Sequence, residues 1–158
     1  MKKKTLYTIL LFGLIFGFIL WLTVTQIEEF QLQDDPKLKQ LKEKIKPLFS
    51  KDKKYDGILS SMNNRNLLNE ISLYKGDKSY TINKHKIFLC LKDEKNEYYD
   101  DNILLFVLLH ECAHVLCNSV GHTDEFNQIF DALLEEAAEV GIIPEKFQPP
   151  SDYCTYND

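Results

Sequence analysis

Thr5 to Val24 reads TLYTILLFGLIFGFILWLTV, a run of 20 residues without one charged side chain. As a helix it would be about 30 Å long, the thickness of a bilayer's hydrocarbon core. Lipid offers the backbone no hydrogen-bond partners, so a single spanning segment must be helical. Trp21 falls near one end, where interfacial aromatic side chains belong. A cleaved signal peptide is the rival reading, because Lys2, Lys3 and Lys4 precede the run. Its apolar region would be unusually long, and Leu22-Thr23-Val24-Thr25-Gln26 lacks a small-x-small cleavage site. We therefore expect a single-pass transmembrane anchor over residues 1–25, a polar stem over 26–34, and one compact domain over 35–158.

Two sets of lysines bear on orientation. Lys2 to Lys4 favour an N-terminus in the cytoplasm and a domain on the non-cytoplasmic side. Lys37, Lys39, Lys42 and Lys44 lie within about 20 residues of the other end, where positive charge also counts. The sequence has no N-x-Ser/Thr glycosylation site.

Within the domain, Asp100 to Val120 reads as one apolar helix. It opens on Asp100-Asp101-Asn102, suited to an N-cap, and Gly121 is a natural residue to end it. Inside this helix lies His110-Glu111-Cys112-Ala113-His114, an H-E-x-x-H motif. Histidines four apart project from one face of a helix, one turn from each other, and both imidazoles can reach a single metal ion. Glu111 follows the first histidine, where a carboxylate can take a proton from water at the metal's open position. Without a metal, His, Glu and His in a buried helix would carry a desolvation cost.

A catalytic zinc usually takes three protein ligands. His122, directly after Gly121, is the leading candidate for the third; seven residues separate it from His114. Thr123 then reads as the N-cap of a last helix, Asp124 to Val140, with Phe126, Ile129, Phe130, Leu133, Leu134 and Ala137 on one side and Gly141 as its stop. Glu135, Glu136 and Glu139 on that helix are the rival third ligands, although a solvated helix face suits them better.

The motif helix, the Gly121-His122 pair and a phenylalanine four residues beyond that histidine resemble the zincin-like metallopeptidases of the WLM and SprT-like group. The stretches Leu73 to Asn83, Ile87 to Leu91 and Leu108 to Cys117 are similar to small metallopeptidase-like proteins of large DNA viruses. The likeness covers roughly residues 35 to 154. It implies zinc held by His110, His114 and His122, with Glu111 as the catalytic base.

The formal charge is −5, and it becomes −8 once Lys2, Lys3 and Lys4 are set aside. An acidic domain is a poor generic binder of nucleic acid, so no nucleic-acid partner is expected. The four cysteines have no pair spacing for a zinc ribbon. Cys112 and Cys117 face apart on one helix, which makes a mutual disulfide implausible. The pairing of Cys90 and Cys154 is left open.

Asp35-Pro36 opens a helix whose Leu38, Leu41, Ile45 and Leu48 form one apolar stripe, with lysines on a solvated opposite face. Ile71–Leu73, Tyr80–Ile82 and Ile87–Leu91 read as strands of a small antiparallel sheet, with Ile87–Leu91 as the edge beside the site. His85 reads as an exposed turn residue. Tyr98 and Tyr99 read as core, with carbonyl polarisation as their sharper alternative.

The expected architecture is therefore α+β: a minimal zincin-like domain behind one transmembrane helix. The expected function is a membrane-anchored, zinc-dependent endopeptidase acting on peptide or protein substrates. Its Zn2+ ligands would be His110, His114 and His122 and its base Glu111. The alternative is a non-enzymatic membrane or virion protein whose zinc site is degenerate or structural, closed by Cys112 or Cys117 as a fourth ligand.

Overall fold

The computed structural model describes residues 2–50, 52–150 and 153. The chain divides into two units, Met1–Asp34 and Asp35–Asp158. The first is one helix, α1 (Lys2–Gln33), which is long and apolar enough to cross a membrane over Tyr7–Gln33. The polar stretch after the apolar run stays helical as far as Gln33. Residues 26–33 hold no Gly or Pro, and Thr23 and Thr25 bond back to the carbonyls of Leu20 and Leu22. Pro36 sets the limit, because it disfavours helical backbone in the residue before it.

The second unit is α+β. It opens with α2 (Pro36–Ile45), capped by the Asp35 carboxylate on the Lys37 amide at 2.9 Å, with proline in the first turn. Leu38, Leu41 and Ile45 are buried, as the stripe requires. The opposite face is solvated at Lys39, Gln40, Glu43 and Lys44, as expected, yet several of its lysines also bond to the domain. Lys37 and Lys44 both pair with Asp101, and Lys42 donates to the Ile71 carbonyl at 3.0 Å. Their charged ends thus bond to groups of the domain itself. A 3-10 helix (Gly57–Asn64) and the single turn α3 (Leu67–Glu70) lead into the sheet.

Among the described residues the sheet has three strands, β1 (Ser72–Lys75), β2 (Tyr80–Ile82) and β3 (Lys86–Leu89), in the spatial order β1-β3-β2. This corrects the expected sheet in two ways. It is mixed, with β1 parallel and β2 antiparallel to β3, and β3 is its centre rather than its edge. The cause lies in two connections. Asn83 and Lys84, both at positive φ, make a tight β2–β3 hairpin. The Gly76–Ser79 segment instead crosses the end of β3, where a Cβ on Gly76 would sit 3.1 Å from the Phe88 Cβ and 2.9 Å from the Lys78 carbonyl oxygen. Tyr74, Phe88 and Tyr80 stack as neighbours across one face, with ring centroids 4.8 and 4.7 Å apart. Leu73, Ile87 and Leu89 are buried on the other face, towards α4 (Asp101–Leu116).

Helix α4 is the centre of the core. Leu104, Leu108, Leu109, Cys112 and Ala113 are fully buried, and α5 (Asp124–Glu139) adds Phe126, Ile129, Leu133 and Ala137. Cys112 and Cys117 are free and buried, whereas Cys90 is disulfide-bonded. Cys154 lies outside the described residues. In the tail, the Tyr153 hydroxyl donates to the Cys90 carbonyl at 2.7 Å and lies 2.8 Å from Ser79 Oγ.

Candidate metal centre

Helix α4 begins as its sequence suggests, with the Asp100 carboxylate accepting from the Asn102 amide at 2.8 Å. It ends at Leu116, earlier than the apolar pattern implies. Asn118 and Ser119 favour turns over helix, and Val120, read as part of the helical pattern, is 91% exposed. Gly121, at φ 83°, is a turn residue inside the following loop, not the helix stop.

That loop returns His122 to the motif face. The ring centroids of His110, His114 and His122 form a nearly equilateral triangle with sides of 4.9 to 5.0 Å. One nitrogen from each lies within 4.8 Å of the others, and the Nε2 atoms of His110 and His122 are 3.0 Å apart. Thr123 Oγ1 caps α5 by accepting from the Phe126 amide at 3.3 Å. Phe126 is thereby set beneath all three imidazoles, with ring centroids 4.3 Å from His114, 4.7 Å from His122 and 4.9 Å from His110. Phe130 adds a second wall, 5.0 Å from His110.

The surroundings favour neutral imidazole, the form that binds metal. Burial, with repulsion from His114 and His122, pushes His110 down to about 4. His114 is lowered as well, by burial first and then by His122 and Lys84. Glu111 behaves oppositely: it is buried, and desolvation raises its carboxyl to about 7 despite a hydrogen bond from Thr81. Thr81 Oγ1 donates to Glu111 Oε2 at 2.7 Å. A carboxyl poised near neutrality, on the residue that follows His110, can both accept and return a proton.

The residue types fit a zinc ion: three imidazole donors that converge, and a carboxylate outside the donor set. Other candidates do not join them. Glu136 pairs with Lys53, and Glu135 and Glu139 line a separate hollow with Ile143 and Phe147. Cys112 is wholly buried, and Cys117 bonds to Ser119 and Glu125, so neither completes a four-ligand site. His85 Nδ1 sits 2.9 Å from the Asn83 carbonyl oxygen within its own turn. Tyr98, expected in the core, is instead 42% exposed with its hydroxyl engaged by the Asp35 carboxylate, whereas Tyr99 packs on Tyr153.

Thr81 was not legible as a site residue from the sequence. It contacts Glu111 because β2 is an edge strand in register with β3, and that register depends on the Gly76 crossing. Phe126 was visible only as the apolar anchor of the last helix. Its contact with three imidazoles follows from the loop geometry.

No family model and no solved structure matches the chain. It is 49% identical over 121 residues to the uncharacterized protein 136R of Invertebrate iridescent virus 6, over 72% of this chain and 68% of that protein. It is 42% identical over 100 residues to protein 042R of Invertebrate iridescent virus 3, over 63% of each chain. It is 30% identical over 129 residues to protein R325 of Acanthamoeba polyphaga mimivirus, over 76% of this chain and 64% of that one. The match thus spans just over two thirds of the first relative and somewhat less of the other two.

Proposed function

We propose, from the premise that this chain belongs to the family of protein 136R of Invertebrate iridescent virus 6, that it is a membrane-anchored, zinc-dependent endopeptidase with a zincin-like domain. One observation carries the reading: donor nitrogens of His110, His114 and His122 lie within 4.8 Å of one another, on a motif whose Glu111, the residue after His110, is buried.

Zinc held by the three histidines would supply a Lewis acid for the scissile carbonyl and make the attacking water more acidic. The chain's own residues do the rest. Glu111 takes a proton from the water as its oxygen adds to the carbonyl carbon, then gives it to the departing amine as the carbon–nitrogen bond breaks. Thr81, by donating to Oε2, holds the carboxylate in one orientation. Phe126 and Phe130 hold the imidazoles and keep one wall apolar, which strengthens electrostatic effects inside. Strand β2, the sheet edge that carries Thr81, is where an extended peptide can add by main-chain hydrogen bonds. This role passes from β3 to β2, because β3 has partners on both sides.

The apolar helix supports anchorage in a membrane, and Lys2 to Lys4 support a domain on the non-cytoplasmic side. The test is hydrolysis of an unfolded protein such as casein by the zinc-loaded full chain in detergent. Cleavage should vanish with a zinc chelator and in Glu111→Gln. Cleavage undiminished in Glu111→Gln would overturn the reading.

A further inference from the structure

His122 is exposed and comes from a loop without regular structure, so its place beside His110 and His114 depends on whatever shapes that loop. Two residues of opposite charge grip it. From the first turn of α5, Glu125 Oε1 accepts from the Asn118 amide and from Asn118 Nδ2, both at 3.2 Å. Its Oε2 accepts from the Ser119 amide at 3.3 Å, from the Ser119 hydroxyl, and from Cys117 Sγ at 3.4 Å. From the β2–β3 turn, Lys84 Nζ donates to the Cys117 carbonyl and to the Asn118 carbonyl, the latter at 2.9 Å. The carboxylate therefore collects the loop's donors while the ammonium collects the acceptors left where α4 stops. Ser119 Oγ, 3.0 Å from Thr123 Oγ1, carries the same network to the cap of α5, one residue beyond His122.

We propose that Glu125 and Lys84 are positioning residues that clamp the Cys117–Thr123 loop and so deliver His122 to the metal centre. The proposal rests on the zinc reading, but the clamp is separable from it. Neither residue is among the metal donors. Both act through backbone groups, as outer-shell partners of a metal site do when they fix a ligand's orientation.

The experiment uses the full chain in detergent and measures zinc affinity by chelator competition. Four proteins are compared: wild type, Glu125→Gln, His122→Ala and the double variant. Glu125→Gln should weaken zinc binding about tenfold, in the range found for outer-shell partners. In the His122→Ala background the same substitution should have no further effect, because there is no third ligand left to position. Unchanged affinity in the single variant, or an equal loss in both backgrounds, would overturn the clamp; a general loss of stability gives the second pattern. Lys84→Gln, acting from the other side of the loop, should repeat the result if Glu125→Gln folds poorly. Amide exchange in the metal-free chain provides a readout without zinc: Asn118 and Ser119 should exchange about tenfold faster in Glu125→Gln, and unchanged exchange contradicts the clamp. A wild-type chain that binds no zinc would instead remove the metal reading, and the exchange data would still decide the clamp.

Discussion

Thr81 Oγ1 and Glu111 Oε2 lie 2.7 Å apart, so an edge strand of the sheet is hydrogen-bonded to the carboxylate of the motif helix. The strand that can receive a peptide and the group proposed to handle its proton are thereby held in one frame. A hydrogen bond to a charged group contributes about 1.5–3 kcal/mol, and each 1.4 kcal/mol is tenfold in rate. Thr81→Val, which keeps the shape and removes the donor, should lower kcat about tenfold with zinc content unchanged. Thr81→Ser should restore most of it. Steady-state kinetics with parallel metal analysis would show this, and an unaltered kcat in Thr81→Val contradicts the role.

The metal-free chain should carry a distinctive pH dependence of stability. Glu111 is raised from 4.5 to about 7 by burial, so between those values the folded chain holds a proton that the unfolded chain has released. Its contribution is complete below about pH 4.5 and is lost as pH rises through 7. His110 runs the other way: lowered from 6.5 to about 4, it contributes fully above 6.5 and loses that contribution as pH falls through 4. Urea unfolding of metal-free Glu111→Gln should therefore gain on wild type steadily from pH 4.5 to 7. Parallel curves would contradict the buried carboxyl.

The metal centre depends on the packing of α4. Leu108 is fully buried in the core, and truncation of such a leucine typically costs about 2–5 kcal/mol through lost burial and the cavity left behind. Leu108→Ala should lower the urea midpoint of the domain accordingly. A loss under about 1 kcal/mol would mean that the helix is less tightly packed than its burial indicates.

Membrane anchorage has an equally direct readout. A spanning helix resists alkaline carbonate extraction, whereas a peripherally attached chain is released. The full chain should stay with the membrane pellet, and quantitative release would contradict a spanning α1.

Much of the site was visible in the sequence because its determinants are local. The i, i+4 spacing places His110 and His114 together wherever the segment is helical, and the buried apolar run secures the helix. The cap residues Asp35, Asp100 and Thr123 likewise fixed the starts of α2, α4 and α5. What was missed is non-local. Short alternating segments separated by turns suggest hairpins, and hence an antiparallel sheet. The close passage of Gly76 over Phe88 sends β2 to the far side of β3, and no nearest-neighbour pattern encodes that. The same crossing determines that Thr81, and not a residue of β3, meets Glu111. Val120 fits the apolar period and extends the apparent helix, whereas Glu125, downstream of it, captures the Asn118 and Ser119 amides and holds them in a loop.

Zinc stoichiometry, measured by elemental analysis on the full chain in detergent after dialysis against trace zinc, tests the central claim most directly. Wild type and Glu111→Gln should each retain one zinc per chain, and His110→Ala should retain almost none. A wild-type chain without zinc, or a His110→Ala chain that still holds one, would contradict a metal centre built on His110, His114 and His122.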